Sequence, residues 1–158
     1  MLTFNEGLVA LDLDVPDAQA VIHTLAAKLH AQGLVSADYG RLTCEREDQH
    51  PTGLPTTPFC IAFPHADAEG VRQSALALAV VPRGVVFKNM ADPDEDLQVF
   101  VVIMLANKNP EEQIQTLRNL ALLFGQPEKL AVLRDQPTPD RVVAWLSQEL
   151  GLNPAAQR

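Results

Sequence analysis

Four histidines are the side chains of this sequence best suited to nucleophilic chemistry, and one of them has a distinctive setting. His65 directly follows an apolar run, residues 59–63 (FCIAF), and Pro64. Pro64 has no N–H to donate to a neighbouring strand, so a short buried strand is predicted to end there. The carboxyl end of a strand in an α/β fold faces the usual ligand crevice, where a neutral imidazole is a candidate nucleophile. From position alone, a hydrogen-bonded structural histidine explains His65 equally well.

The other histidines and the two cysteines do not combine into a site. His23 and His30 lie seven residues apart on one predicted helix, about 10 Å along its axis, which is too far for one metal ion. We expect both to be solvated surface histidines, and His50 to have a local structural or incidental role. Cys44 and Cys60 are too far apart in sequence for a CxxC redox pair and too few for a zinc site.

Several common catalytic motifs are missing from the sequence. There is no GxxxxGK phosphate loop, no HExxH, no GxSxG and no glycine-rich dinucleotide turn. These absences, together with the scattered cysteines, lead us to predict neither a metal nor an organic cofactor.

Composition and charge restrict the class of partner. The chain of 158 residues is 47% hydrophobic and 20% charged, which is typical of a globular domain and not of a disordered one. Its formal charge of −8 counts against nucleic acid and suits partners with a basic face. No apolar run approaches the ~18 residues of a membrane span, and the first residues lack the features of a signal peptide. We therefore expect a cytoplasmic protein without direct membrane insertion.

Hydrophobic spacing predicts alternating strands and helices in the first part of the chain. A strand over residues 8–13 (LVALDL) precedes a helix that Asp14 caps and Gly33 ends. A second helix is predicted over 38–48, and the Pro-rich stretch 51–58 (PTGLPTTP) is predicted to be a loop.

The rest of the chain indicates more strands and then helices. Strands are predicted over 76–81 (LALAVV), 85–87 and 98–105 (QVFVVIML), the first two joined in a hairpin through Pro-Arg-Gly at 82–84. Asn109 and Pro110 are typical of a helix start. Later prolines introduce two final helices, at 127 and at 137–139.

This alternation predicts a layered α/β domain with a mixed sheet. No internal repeat or linker divides the chain. One domain is therefore predicted over residues 1–150, followed by a frayed C-terminal tail at 151–158.

Three segments resemble, in order and spacing, the fructose/mannitol-type enzyme IIA family of the bacterial sugar phosphotransferase system. They are residues 45–46 (ER), 51–54 (PTGL) and 61–66 (IAFPHA), and the similarity extends to about residue 150. The resemblance implies a three-layer α/β/α sandwich in which His65 accepts a phosphoryl group from phospho-HPr. It also implies that the group passes to a cysteine of enzyme IIB, which works beside a membrane IIC permease.

The resemblance assigns roles to further residues. Arg46 occupies the family's arginine position, and its guanidinium fork is suited to phosphoryl oxygens; alternatively it is a surface arginine paired with an adjacent glutamate. Thr52 and Gly53 are candidates for phosphate binding through a hydroxyl and backbone N–H groups, and a plain turn explains them equally well. Gln113 stands where mannitol-type members carry a second active-site histidine. An amide there can form a hydrogen bond but cannot shuttle a proton.

Two other functions compete with sugar transport. One is a regulatory module of the nitrogen-regulatory type, phosphorylated at His65 and acting by binding target proteins; the other is a noncatalytic descendant with the fold alone. Gln113 and the Asn-Pro before it resemble the galactitol-specific branch, whereas the nitrogen-regulatory branch usually keeps the second histidine. The sugar itself is not identified, because in this family the IIA component does not contact it.

Overall fold

Helices and strands interleave along residues 2–152, the part of the chain that the computed structural model describes. The helices there are α1 (Ala18–Ala31), α2 (Tyr39–Gln49), α3 (Ile114–Phe124), α4 (Pro127–Arg134) and α5 (Pro139–Leu150). The strands are β1 (Val9–Ala10), β2 (Gly53–Leu54), β3 (Cys60–Ala62), β4 (Ala75–Lys88) and β5 (Asp96–Ala106). Short 3-10 turns lie at Glu6–Leu8, Ala68–Gly70 and Pro110–Gln113.

The described strands form one mixed sheet in the order β1-β4-β5-β3-β2. β1 runs parallel to β4 and β3 parallel to β5, whereas the β4–β5 and β2–β3 pairs are antiparallel. Consecutive residues 75–81 of β4 and 101–106 of β5 are buried, so both faces of the central strands are covered. The predicted mixed sheet is confirmed.

Two groups of helices cover the sheet. α1 packs over β4 and contacts α2, while α3, α4 and α5 contact one another and α5 also reaches β1. The apolar core that joins these layers consists mainly of Val, Leu, Ala and Ile side chains. This is the predicted three-layer α/β/α sandwich.

The predicted hairpin through residues 82–84 is wrong. β4 continues through this segment, and its register against β5 shifts between Val80 and Val85, so residues 81–84 form a bulge. Gly84 has a φ of +75°, which a bulge readily uses. The antiparallel hairpin instead joins β4 to β5 through residues 89–95. Proline and glycine were turn signals in the sequence, but a strand can hold them at a bulge.

The first strand and first helix also differ from prediction. β1 has only two residues, because Asp12 adopts a left-handed φ of 53° and breaks the extended backbone. Asp17 rather than Asp14 caps α1, since its Oδ1 accepts a hydrogen bond of 2.9 Å from the backbone N of Ala20. Asp14 lies too far upstream for that bond and faces Arg83 at 3.7 Å.

Two further local predictions need correction. The stretch 51–58 contains β2, which pairs with β3, although it was predicted to be loop throughout. α3 begins at Ile114 after a 3-10 turn, and the Asn109 side chain makes no capping hydrogen bond. The predicted helices after Asp38, after Pro127 and after 137–139 are confirmed as α2, α4 and α5.

The chain's last described helix ends at Leu150, and Gly151 follows it in a left-handed conformation. Most of the predicted tail, residues 153–158, lies outside the described residues, so the division into domain and tail stays a prediction. Within residues 2–152 no helix has the length and apolar character needed to span a membrane.

Candidate functional site

His65 lies just beyond the carboxyl end of β3, and its ring makes a contact that defines its tautomer. The Nδ1 atom is 3.1 Å from the backbone carbonyl oxygen of Phe63, and the side chain is half-buried. A carbonyl oxygen can only accept a hydrogen bond, so in this contact Nδ1 carries the proton. The lone pair of a neutral ring is then on Nε2. This tautomer makes Nε2 the nucleophilic atom.

Arg46, in the last turn of α2, reaches the segment that follows His65. Its Nη1 lies 3.2 Å from Oδ1 of Asp67, two residues beyond the histidine. The Arg46 side chain is 37% exposed and that of Asp67 is 83% exposed. The Nε of Arg46 is buried and has no hydrogen-bond partner among the described residues. The Nε–H of Arg46 is therefore available to donate a hydrogen bond to a group bound beside His65.

A small cleft lies between the end of α2 and the loop after His65. Its volume is about 250 Å³, and its walls include Arg46, His50, Ala66 and Asp67. The cleft joins the predicted arginine to the His65 loop and also brings His50 nearby. His65 itself is not part of the cleft wall.

Tyr39 anchors the same loop from the start of α2, a contact that the sequence analysis missed. Its side chain is fully buried, and its hydroxyl accepts a hydrogen bond of 3.3 Å from the backbone N of Ala66. Burial raises the pKa of the Tyr39 hydroxyl, which therefore stays protonated. A buried tyrosine at the first position of α2 thus holds the residue next to His65.

Thr52 contacts Phe63, which precedes His65 in sequence, and is bound to Glu47 of α2. Its backbone N is 2.8 Å from Glu47 Oε2 and its hydroxyl is 2.7 Å from Oε1. The hydroxyl oxygen also accepts from the backbone N of Phe63 at 3.2 Å. In this arrangement both donors of Thr52 are occupied, so its predicted phosphate-binding role stays a prediction that would require Glu47 to be released.

Glu47 was missed as a site residue, although a helical pattern pointed to it. Tyr39, Thr43 and Glu47 recur every four residues on α2, and the first two are fully buried. Burial raises the pKa of the Glu47 carboxyl, while the hydrogen bonds from Thr52 act in the opposite direction. An acid at this helical spacing needs donors nearby, and Thr52 supplies them.

Gly53 packs tightly against the turn between β4 and β5. A Cβ atom at this position would lie 2.5 Å from the backbone oxygen of Lys88, which is closer than any real contact. The Gly53 carbonyl also accepts a hydrogen bond of 2.8 Å from the backbone N of Met90. Glycine is therefore required for close packing, and a role in phosphate binding stays a prediction.

Gln113 ends the 3-10 turn that leads into α3, and its side chain is 3% exposed. β3 and β5 are parallel neighbours, so the segments bearing His65 and Gln113 both follow the carboxyl ends of strands on the same side of the sheet. The Phe63 ring lies 6.0 Å from the His65 ring and 5.8 Å from that of Phe124 on α3. Among residues 2–152, the Gln113 amide makes no hydrogen bond, and none joins it to His65.

Unlike His50, neither His23 nor His30 lines the cleft beside the His65 loop. His23 and His30 are exposed on α1, and His30 Nδ1 is 3.1 Å from the Val35 carbonyl oxygen. Among the described residues, no group of three or more His, Cys, Asp and Glu side chains is arranged to hold a metal ion.

Residues 2–149 match the family described as phosphoenolpyruvate-dependent sugar phosphotransferase system, EIIA 2. This chain belongs to that EIIA family. A curated relative, the galactitol-specific EIIA component of Escherichia coli K12, is 31% identical over 121 residues, covering 77% of this chain and 80% of the relative.

Solved structures show the same fold. The mannitol enzyme IIA of Escherichia coli, determined in complex with phosphorylated enzyme IIB, has a TM-score of 0.72 at 21% identity and covers 96% of this chain and 99% of its own. The nitrogen regulatory protein IIA-Ntr of Neisseria meningitidis has a TM-score of 0.72 at 24% identity, covering 92% and 95%.

Membership in the family gives the EIIA chain its activity. It is a phosphotransferase that relays phosphoryl groups within a phosphoenolpyruvate-dependent sugar phosphotransferase system. The galactitol-specific relative favours transport over the nitrogen-regulatory alternative, since the IIA-Ntr likeness concerns the fold.

Proposed function

We propose that Nε2 of His65 is the phosphoacceptor of this EIIA chain. The contact between Nδ1 and the Phe63 carbonyl carries this proposal, because it leaves the lone pair on Nε2. The Nε2–P bond forms as the bond between phosphorus and its carrier atom on HPr breaks. In the second step the Nε2–P bond breaks as a cysteine sulfur of enzyme IIB bonds to phosphorus. In each step phosphorus passes directly between the two atoms, and the protein contributes mainly positioning and charge stabilisation.

Arg46 is the proposed ligand of the transferred phosphoryl group. Its guanidinium already holds one carboxylate, Asp67, at 3.2 Å in the loop that follows His65. A phosphoryl group carries about −1.5 to −2 charges and three acceptor oxygens, so it competes with a single carboxylate for the same fork. The unpartnered Nε adds a further donor. Arg46 therefore exchanges Asp67 for the phosphoryl group when His65 is loaded.

Gln113 is the proposed hydrogen-bonding partner at the position of the second histidine. The residue is 3% exposed and its amide makes no hydrogen bond within residues 2–152, so the amide is available to bond to the phosphoryl group or to the ring of His65. Thr52 and Gly53 remain candidates for phosphate binding, subject to the contacts that occupy them in this structure.

The proposed transport substrate is a polyol or sugar of the galactitol class. The support is the galactitol-specific EIIA relative at 31% identity, together with glutamine at position 113. The sugar would be bound by the membrane IIC permease and not by this chain. A cytoplasmic location is proposed because the phosphoryl donor, phospho-HPr, must reach His65.

Labelling with phosphoenolpyruvate, enzyme I and HPr tests the acceptor. The wild type should gain one acid-labile, base-stable phosphoryl group, and His65→Ala should lose it while retaining the circular dichroism of the folded chain. His50→Ala is the matched control, since His50 lines the neighbouring cleft. Labelling that persists in His65→Ala and disappears in His50→Ala would place the chemistry on His50 instead.

A further inference from the structure

A continuous chain of hydrogen bonds connects the buried end of α2 to the His65 ring. Glu47 accepts both donors of Thr52, at 2.7 and 2.8 Å. The Thr52 hydroxyl and carbonyl oxygens both accept from the backbone N of Phe63, at 3.2 and 3.3 Å. The Phe63 carbonyl oxygen then accepts from His65 Nδ1 at 3.1 Å. Each link is within normal hydrogen-bond length.

The first link fixes the direction of the Thr52 hydroxyl. Thr52 is 3% exposed, so water does not compete for its polar atoms. A carboxylate has no proton to donate and offers two acceptor oxygens, which match the N–H and O–H of Thr52 one to one. With its hydrogen directed at Glu47, the hydroxyl oxygen presents a lone pair to the Phe63 N–H. A glutamine at position 47 would have one acceptor oxygen only.

The next links carry this constraint to the imidazole. Thr52 holds the backbone N of Phe63 through two acceptors, and Pro64 restricts the backbone that follows. The Phe63 carbonyl is therefore fixed between two restrained points. Since that carbonyl accepts the Nδ1–H of His65, its position determines both the plane of the ring and the tautomer.

We propose that Glu47 and Thr52 are positioning residues for His65, which hold the imidazole in the tautomer whose Nε2 attacks phosphorus. This inference rests on the proposed function, in which His65 is the phosphoacceptor. Neither residue touches the reacting atoms; both act through Phe63.

The experiment combines two readouts on one set of variants of the full chain. Nitrogen-15 NMR of the unphosphorylated protein measures the His65 tautomer, and rapid-quench transfer from phospho-HPr measures kcat and KM. Thr52→Val removes the hydroxyl, Thr52→Ser restores it, and Glu47→Gln removes one acceptor. Glu128→Gln is the control for a lost carboxylate, because Glu128 is exposed in the first turn of α4. Thr24→Val is the control for a lost hydroxyl, since Thr24 bonds to the Ala20 carbonyl on α1.

The wild type is expected to show protonated Nδ1 and unprotonated Nε2. Thr52→Val and Glu47→Gln should give a mixture of tautomers and lower kcat on the order of tenfold, less than the about hundredfold cost of a 1 Å misplacement. KM for phospho-HPr should stay unchanged, because both substitutions act through Phe63 on the His65 ring and not on the contact with phospho-HPr. Thr52→Ser and both controls should behave like the wild type.

Wild-type tautomer populations and kcat in Thr52→Val would overturn the inference, as would a wild-type ring protonated on Nε2. Should Thr52→Val fail to fold, Glu47→Gln decides, because it keeps the size of the side chain. Failure of the proposed function is recognised separately by phosphoryl label on a residue other than His65, whereas the tautomer is measured without phosphorylation.

Discussion

Asp67→Asn is the perturbation that most directly tests whether a phosphoryl group displaces a carboxylate from Arg46. The two side chains meet at 3.2 Å, and Asp67 lies two residues after His65. Asparagine keeps the size of the side chain and a carbonyl oxygen but removes the charge. If Arg46 must leave Asp67 to bind the phosphoryl group, removing the charge should favour the phosphorylated state.

The size of the effect follows from the exposure of the pair. Asp67 is 83% exposed and Arg46 is 37% exposed, so water screens the interaction. Exposed ion pairs of this type contribute about 0.2–1 kcal/mol. The wild type loses this interaction energy on phosphorylation and Asp67→Asn does not. The substitution should therefore shift the phosphorylation equilibrium by about 1.4- to 5-fold. The free energy of unfolding should fall by no more than the same amount.

The assay is the equilibrium between phospho-HPr and this chain, measured by mass spectrometry of the intact proteins at two salt concentrations. Asp67→Asn should raise the phosphorylated fraction, and the gain should shrink at high salt because screening weakens the original pair. Asp135→Asn is the matched control, since Asp135 is an exposed carboxylate paired with Arg134. A phosphorylated fraction that falls in Asp67→Asn would refute the exchange and indicate that Asp67 assists the transfer.

Three further predictions concern the same site. Arg46→Ala should slow transfer about 10- to 150-fold, as expected for a charged hydrogen bond of about 1.5–3 kcal/mol. The transfer rate of Arg46→Lys should fall between those of Arg46→Ala and the wild type. Equal rates for all three proteins in rapid-quench assays would show that Arg46 is not part of the site. Gln113→Ala should slow transfer about fivefold, and Gln113→His should add a pH dependence of the transfer rate near neutrality. If the transfer rates of all three proteins vary identically between pH 5.5 and 8.5, Gln113 has only a packing role. Because burial raises the folded-state pKa of Glu47, its contribution to stability is present below about pH 4.5 and is lost as the pH rises through the raised pKa. Urea titrations of Glu47→Gln should lack this pH-dependent component, and a difference from the wild type that does not vary with pH would contradict the assignment.

Much of the fold was predictable because it depends on local patterns. Apolar runs of β-branched residues indicated the central strands, and prolines at first helical positions indicated α4 and α5. The failures occurred where a local signal has two structural outcomes. Pro-Arg-Gly at 82–84 suits either a turn or a bulge, and only the pairing of β4 with β5 decides for the bulge. Asp14 and Asp17 are both capable caps, and backbone geometry selects Asp17.

The site was predictable only in part, for a related reason. The position of His65 after a strand and Pro64 could be inferred from sequence, because α/β folds place their ligand sites at the carboxyl ends of strands. The partners of its neighbours could not, since they depend on contacts between segments distant in sequence. Tyr39 reaches Ala66 across 27 residues, and such a contact has no sequence signature of its own.

The last turn of α2 is bonded to the chain on both sides of His65 in sequence. Arg46 and Glu47 are adjacent, yet they bind on opposite sides of His65. Arg46 reaches Asp67 beyond it, and Glu47 reaches Thr52, which holds Phe63 before it. Thr52 and Phe63 therefore link the PTGL and IAFPHA segments directly, whereas the ER segment is connected through Glu47 and Asp67, which lie next to the segments. One helix end restrains both flanks of the histidine, so displacement of α2 would affect the imidazole and the guanidinium together.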